Sequence, residues 1–247
     1  MLKPNERIDE LYSLGIKVIQ DPRVFSFSTD AVLLAHFANL RRRRSSLTVD
    51  LGTGNGAVAL FLSQRTHGRI LGVEIQPKLA EMARRSVRLN HLGSQVRILT
   101  MDLARAPEKI TPGSVDTVTC NPPYFKDLST SIKNPDPYLA IARHEIKTNL
   151  TQVLKTTNCL LKNRGKADLV FRPGRLIEML NLMQRYHLAP KRLRFVYSTS
   201  KKSARMFLIE AEKAGRLTGL QVLPPLIIMN NGHYSKVMHR IMSGPWN

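Results

Sequence analysis

A glycine-rich segment directly follows a short apolar run, and this pair constrains the fold more than any other feature of the chain. The run Leu47–Leu51 predicts a buried strand, Asp50-Leu-Gly-Thr-Gly-Asn-Gly56 predicts a turn at its end, and a helix is expected over 57–64. Glycine adopts positive φ without strain and lets a ligand approach the backbone closely. A turn that binds a ligand at the carboxyl end of a strand is typical of doubly wound α/β sheets.

Strand-like and helix-like segments alternate along the rest of the chain. Strands are predicted at 70–74, 96–100, 115–119 and 167–171, and helices at 77–92, 150–161 and 176–186. Two final strands, 193–197 and 205–211, suit an antiparallel pair. The pattern predicts an α/β fold with a doubly wound, mostly parallel seven-stranded sheet and an antiparallel edge strand.

A length of 247 residues suits a single domain, 1–247. We divide it into an N-terminal segment 1–46, a sheet core 47–211 and a C-terminal extension 212–247. No signal peptide is evident, and the apolar run 31–40 is too short to span a membrane. A monomer is favoured, with the oligomeric state left open.

The cysteines and histidines predict neither a disulfide framework nor a metal site. Cys120 and Cys159 lie far apart without a paired-thiol motif, which favours a reducing, cytoplasmic location. The seven histidines show no metal-ligand spacing.

The chain is strongly basic, with 38 Lys and Arg against 18 Asp and Glu and a net charge of +20. Residues 151–247 contain 17 of these basic residues and only four of the acidic ones. Such a surplus indicates a polyanionic partner, most simply nucleic acid. Lys201, Lys202 and Arg205 are the predicted phosphate contacts, whereas the run Arg41–Arg44 is more typical of a solvated turn.

Three carboxylates lie at or just beyond the ends of predicted strands near the glycine turn. Asp50 either orders the turn or meets a positively charged amino group. Glu74 is placed to accept hydrogen bonds from a ribose diol, and Asp102 to accept one from an adenine amino group. Because Gly52-x-Gly54-x-x-Ala57 also satisfies a permissive dinucleotide fingerprint, the loop alone leaves S-adenosylmethionine and NAD both open.

The segment Asn121-Pro-Pro-Tyr124 favours the first of these cofactors. The Asn121 side-chain oxygen and the Pro122 carbonyl can each accept one N–H of an amino group, which directs its lone pair toward a methyl donor. Pro122 and Pro123 fix φ. The Tyr124 ring offers a flat face to a base, and Phe125 is placed to flank it. The expected reaction is methyl transfer from S-adenosylmethionine to nitrogen.

These motifs resemble those of class I S-adenosylmethionine-dependent N6-adenine methyltransferases, and most closely the bacterial group that modifies adenine 37 of tRNA(Val). The segments Ser26–Leu34 and Ala140–Glu145 strengthen the resemblance. It implies a Rossmann-like fold, a tRNA substrate with an anticodon-loop adenine, and a cofactor-lid role for segment 1–46. The cofactor-binding residues that it implies are Thr29, Asp30, Asp50, Gly52, Thr53, Gly54, Asn55, Gly56, Glu74, Ile75, Asp102, Leu103 and Asn121.

The resemblance also implies that Thr29 and Asp30 close over the methionine end of the cofactor, and that Arg143 and His144 lie near the target base or its phosphate. Other functions stay open. The same clamp would fit a protein glutamine amide or another amino group in RNA or DNA. An NAD-dependent oxidoreductase is a further alternative, but it leaves Asn121–Tyr124 unexplained. A noncatalytic RNA-binding protein is another, and both the intact glycine loop and Asn121–Tyr124 argue against it.

Overall fold

The computed structural model describes residues 2–11, 15–22, 29–122, 149–243 and 246. Within them the helices are α1 (Thr29–Phe37), α2 (Ala57–Leu62), α3 (Pro77–Leu89), α4 (Leu150–Leu160), α5 (Leu176–Arg185) and α6 (Lys236–Ser243). Two 3₁₀ helices cover Leu103–Glu108 and Pro173–Arg175.

The described strands include a hairpin, β1 (Arg7–Leu11) and β2 (Ile16–Gln20). The long strands that follow are β3 (Leu47–Leu51), β4 (Arg69–Glu74), β5 (Val96–Thr100), β6 (Val115–Cys120), β7 (Leu161–Phe171), β8 (Leu188–Tyr197) and β9 (Ala204–Lys213). Four short strands follow β9: β10 (Gln221–Val222), β11 (Leu226–Ile227), β12 (Met229–Asn230) and β13 (His233–Tyr234).

One nine-stranded sheet forms the centre of the molecule, in the order β10-β8-β9-β7-β6-β3-β4-β5, with β11 also paired to β8. All pairs are parallel except those made by β9, which runs against both β7 and β8. The predicted mostly parallel sheet with an antiparallel strand is therefore confirmed. The antiparallel strand β9 is not at the edge of the sheet, because it lies between β7 and β8. The short strands β10 and β11 pair with the other side of β8.

Helices cover both faces of the sheet, as a doubly wound fold requires. One buried cluster joins α1, α2 and α3 to the sheet and includes Trp246 from the end of the chain. The other joins α4, α5 and the first 3₁₀ helix to the opposite face. None of the described helices is long and apolar enough to cross a membrane.

The local sequence explains the position of α3, which supports the N-terminal hairpin. Pro77 suits the first turn of the helix, and Leu79, Met82 and Ala83 form its buried face. The Ser86 hydroxyl accepts the Ile19 N–H of β2 at 3.0 Å. The hairpin is thus held against the helix that follows the second core strand.

Several elements extend beyond their predicted bounds. Strand β7 begins at Leu161 rather than 167, and β8 begins at Leu188 rather than 193. The sheet also continues into the predicted C-terminal extension through β10 and β11.

Candidate active site

The glycine loop follows β3 and is built from three residues with positive φ. Gly52, Gly54 and Gly56 have φ of 68°, 58° and 84°. The N–H groups of Gly52 and Thr53 both donate to the Val73 carbonyl of β4, at 2.9 and 3.0 Å. The neighbouring strand therefore fixes the course of the loop.

The outer side of the loop is open, and its inner side is tightly packed. A Cβ on Gly52 would meet no described atom within 4 Å, whereas a Cβ on Gly56 would lie 3.1 Å from Ala83 Cβ of α3. Gly56 is thus needed for packing, and open space remains beside Gly52. This combination fits a cradle for a nucleotide-like group.

Asp50 is buried beneath the loop, where it contacts a residue that sequence analysis did not single out. Its Oδ1 accepts the Thr119 hydroxyl of β6 at 2.7 Å. Burial raises the pKa of the Asp50 carboxyl to about 6, while the Thr53 and Thr119 hydroxyls oppose this rise. The Thr53 hydroxyl is near enough to lower that pKa but forms no hydrogen bond with described residues. The other carboxylate oxygen, Oδ2, is buried without a hydrogen-bond partner among the described residues, so both predicted roles of Asp50 stay predictions.

Glu74, at the end of β4, joins the glycine loop to the start of α3. Its Oε2 accepts the Gly54 N–H at 2.9 Å, and its Oε1 accepts the Gln76 N–H at 2.8 Å. Burial raises the pKa of the Glu74 carboxyl, although these backbone bonds favour the charged form. Since a carboxylate offers about four acceptor positions, capacity remains for a further donor beside these backbone contacts. The half-buried Ile75 follows directly.

Asp102 lies beyond β5 and caps the first 3₁₀ helix. Its Oδ1 accepts the Ala104 N–H at 2.9 Å, so the side chain has a fixed position. Leu103 is buried beneath it. The second carboxylate oxygen remains available in this geometry for a donor at the same edge of the sheet.

Asn121 and Pro122 follow β6, and the strand register brings them next to the glycine loop. The Cα partners at the ends of β3 and β6 are Leu51 and Cys120, so Asn121 and Gly52 are the next residues on adjacent parallel strands. Asn121 is half-buried and Pro122 is buried. The remaining residues of the predicted clamp and base site, Pro123, Tyr124, Phe125, Arg143 and His144, lie outside the described residues.

Three other predicted cofactor residues are Asn55, within the loop, and Thr29 and Asp30, at the start of α1. Asn55 is fully buried, and its Nδ2 donates to the Ile19 carbonyl of β2 at 3.3 Å. It therefore ties the loop to the hairpin. Thr29 and Asp30 form the first turn of α1, where Asp30 is buried and Thr29 half-buried.

The predicted phosphate contacts lie at the same edge of the sheet as the loop. Because β8 runs parallel to β3, its carboxyl end and the following turn lie there too. Lys201 and Lys202 are exposed in that turn, and exposed Arg205 follows in β9. We call this edge, where β3, β4, β5, β6 and β8 end, the carboxyl edge.

The carboxyl edge thus collects a glycine loop, two acidic residues after neighbouring strands and an Asn-Pro pair. A sequence model described as the methyltransferase small domain matches residues 15–170, which include all of these.

The chain belongs to the methyltransferase small domain family.

Family membership confirms the predicted methyltransferase class and supports S-adenosylmethionine as its cofactor. Within the described residues, no group of three or more His, Cys, Asp or Glu could hold a metal ion.

Proteins similar in sequence to this chain carry a more specific name. A tRNA1(Val) (adenine(37)-N6)-methyltransferase of Bacteroides fragilis is 32% identical over 153 residues, which are 62% of this chain and 62% of that protein. A protein of the same name from Porphyromonas gingivalis is 29% identical over 214 residues, covering 84% of this chain and 83% of the relative. The chain thus spans less than two thirds of the Bacteroides protein and most of the Porphyromonas one.

Solved structures show the same fold at low sequence identity. A predicted O-methyltransferase from Agrobacterium tumefaciens superposes with a TM-score of 0.68 at 20% identity, covering 87% of this chain and 97% of that one. Geranyl diphosphate C-methyltransferase from Streptomyces coelicolor gives a TM-score of 0.55 at 17% identity, covering 74% and 78%. At these identities the likeness concerns the fold alone.

Proposed function

We propose that this protein transfers the methyl group of S-adenosylmethionine to the exocyclic N6 of an adenine in tRNA, in the anticodon loop. The proposal combines the family with the shared name of relatives such as those of Bacteroides and Porphyromonas. We also propose that the reaction takes place in the cytoplasm, consistent with the free Cys120 and Cys159.

The observation that carries the proposal is the register between β3 and β6. Because Leu51 and Cys120 are Cα partners, the glycine loop and Asn121 leave adjacent strands side by side. A methyl donor in the loop and an amino group at Asn121 would therefore meet at one point. Such positioning is itself a large part of catalysis between two bound reactants.

Asn121 and Pro122 supply the chemistry that an adenine amino group needs. Its nitrogen is a weak nucleophile because the lone pair is delocalised into the ring. The Asn121 Oδ1 would accept one amino N–H and the Pro122 carbonyl the other, which stabilises the positive charge that develops on nitrogen. When bound, S-adenosylmethionine supplies an electrophilic methyl group. The nitrogen then releases one proton to water.

The acidic residues of the carboxyl edge would hold the cofactor. The backbone N–H bonds to Glu74 leave capacity to accept a hydrogen bond from a ribose diol. Asp102 offers its second oxygen to the adenine amino group of the cofactor. The open space beside Gly52 suits the methionine part.

The basic turn after β8 supports RNA as the macromolecular substrate. Lys201, Lys202 and Arg205 are exposed at the carboxyl edge, where a polyanion bound at the site would pass. A protein glutamine would fit the same amide clamp, but it would leave this concentration of positive charge without a role.

A single-turnover assay with a short anticodon stem-loop tests the proposal. We expect methyl transfer to a tRNA(Val) stem-loop that contains adenine 37. The matched control replaces only that adenine by guanine, which lacks the amino group at position 6. Equal transfer to both RNAs, or transfer to neither, would contradict the proposed target.

A further inference from the structure

A second basic surface lies away from the carboxyl-edge turn, along the edge strand β5. It is an open groove of about 1010 Å³ between α3, β5 and the first 3₁₀ helix. Five cationic side chains line it, against a single carboxylate, that of Glu108; the cationic residues are Arg84, Arg88, Arg97, Arg105 and Lys109. A groove with this balance attracts an anion.

Two of the five cations already have partners within the fold. Arg84 Nε donates to the Ile98 carbonyl at 3.3 Å, and its guanidinium also bonds the Thr100 hydroxyl. Arg105 Nη2 forms an ion pair with Glu108 at 2.8 Å. These contacts shape the wall of the groove and neutralise the Glu108 carboxylate.

The other three cations, Arg88, Arg97 and Lys109, are exposed and form no ion pair within the described residues, although the charge of Lys109 helps to lower the pKa of the Glu108 carboxyl. They come from three different elements: the end of α3, the start of β5 and the segment after the 3₁₀ helix. Like charges repel when they have no anion between them. Their convergence on one groove therefore indicates a ligand that carries several negative charges.

The position of the groove relates it to the carboxyl edge. Strand β5 is the last strand of the sheet, and its five residues span about 16 Å. Arg97 lies near its amino end, whereas Asp102 follows its carboxyl end. A ligand along β5 would thus extend from the proposed cofactor site at Asp102 to Arg97, five residues or roughly 16 Å further down the strand.

We propose that this groove binds backbone phosphates of the substrate RNA at a distance from the target adenine. The inference rests on the proposed function for its RNA substrate and adds a second contact surface to it. A peptide added to the edge strand is the competing occupant. Edge pairing would need the Ile98 carbonyl, which Arg84 already engages, and it would leave the three cations unpaired.

The test is the salt dependence of binding to full-length tRNA for a triple variant, Arg88→Ala, Arg97→Ala and Lys109→Ala. Each phosphate contact contributes about 0.7–0.9 to the slope of log affinity against log salt, so loss of three contacts should give a slope flatter by about 2–3. The control variant, Lys155→Ala, Arg185→Ala and Arg216→Ala, removes three exposed charges outside the groove. Its slope should match that of the wild type.

Three accompanying readouts keep the outcomes separate. Arg97→Ala alone should flatten the slope by about 0.7–0.9, which tests the groove if the triple variant fails to fold. The affinity for S-adenosylmethionine should stay unchanged, and a large loss would assign the groove to the cofactor site instead. A slope equal to that of the wild type in folded groove variants would overturn the proposed phosphate contacts in the groove, but not the proposed function. A wild-type protein that does not bind tRNA would contradict the proposed function itself.

Discussion

The two halves of the sheet hold their buried carboxylates in different ways. At the carboxyl edge of the first half, Asp50 and Glu74 accept bonds from a hydroxyl and from backbone N–H groups. In the second half, Glu210 forms an ion pair with Arg192 at 2.5 Å, and Glu212 forms one with Lys166 at 2.7 Å. One set lacks cationic partners among the described residues, and the other is neutralised by them.

We call Lys166, Asp168, Arg192, Glu210 and Glu212 the charge cluster. Its members pair across three strands, with Asp168 opposite Glu210 and Glu210 opposite Arg192. Burial and the neighbouring Glu210 raise the pKa of the Asp168 carboxyl to about 7. The Asn39 N–H donates to Asp168 Oδ2 at 3.1 Å, which links the cluster to the end of α1.

The contrast separates carboxylates that serve the fold from those available to a ligand. Ion pairs within the charge cluster fasten β7, β8 and β9 together, although its three carboxylates outnumber its two cations. Burial instead raises the pKa of the Glu74 carboxyl, and within the described residues backbone N–H groups rather than cations favour its charged form. A positively charged cofactor such as S-adenosylmethionine would gain from such a charge, whereas it would gain little from the cluster.

The largest expected effect comes from Asn121. Asn121→Ala should lower the single-turnover rate of methyl transfer by about 10²–10³-fold, the scale for removal of one transition-state hydrogen bond. Asn121→Asp keeps an oxygen acceptor and should retain more activity than the alanine variant. A folded alanine variant with the wild-type rate would show that the amino clamp is wrong.

Glu74→Ala should have the next largest effect, on cofactor affinity. It removes the acceptor for the Gly54 and Gln76 N–H groups as well as the proposed ribose contact. The cost of leaving such groups poorly paired is about 1–3 kcal/mol, so calorimetry should show binding of S-adenosylmethionine about tenfold weaker or worse. Glu74→Gln keeps one oxygen, so its affinity for S-adenosylmethionine should lie between those of the wild type and the alanine variant. Unchanged affinity in both variants would remove Glu74 from the cofactor site.

Asp168→Asn should change stability and its pH dependence while leaving the rate of methyl transfer unchanged. The folded-state pKa of about 7 exceeds the ordinary value of 3.8, so the folded protein binds more protons between these values. The contribution of this group to stability therefore falls as pH rises from about 4 to about 7.

Chemical unfolding at pH 5 and pH 8 tests this sign. The asparagine variant should be more stable than the wild type at pH 8 by about 1–2 kcal/mol, since a tenfold change in proton affinity corresponds to about 1.4 kcal/mol. The difference should be smaller at pH 5. Equal loss of stability at both pH values would mean that the carboxylate is held charged by Arg192.

The smallest effect is expected at the basic turn. Replacement of Lys201 and Lys202 by alanine should flatten the salt dependence of RNA binding by roughly 1–1.4, at about 0.7 for each single-strand phosphate contact. Lys155→Ala with Arg185→Ala removes the same charge elsewhere and serves as the control. Identical slopes for the two double variants would place the RNA away from this turn.

Local sequence was sufficient to predict the core strands and much of the carboxyl edge. The strands β3 to β6 were found because each is a short apolar run with turn residues beside it, and the glycine loop and Glu74 follow them directly. The first part of β7 is not predicted as strand, because the segment Lys162 to Lys166 is polar and is typical of a loop. The helices predicted from the sequence do not include α1. This helix is buried on nearly all sides, so its sequence lacks the amphipathic period that reveals a helix.

Contacts between distant residues could not be predicted in the same way. The bond between Thr119 and Asp50 joins residues 69 positions apart, and it follows from the order of strands rather than from any motif. The same holds for Asp168, Glu210 and Arg192, whose pairing depends on the reversed direction of β9. The basic groove likewise arises only when α3, β5 and the 3₁₀ helix come together.

The most direct test of the account is to identify the methylated product. The wild-type protein would be incubated with isotopically labelled S-adenosylmethionine and total bacterial RNA from cells that lack the protein, and the nucleosides analysed by mass spectrometry. The account predicts labelled N6-methyladenosine in the tRNA fraction, and none with Asn121→Ala over the same short reaction time. Label in another nucleoside only, or no label in the RNA, would contradict it.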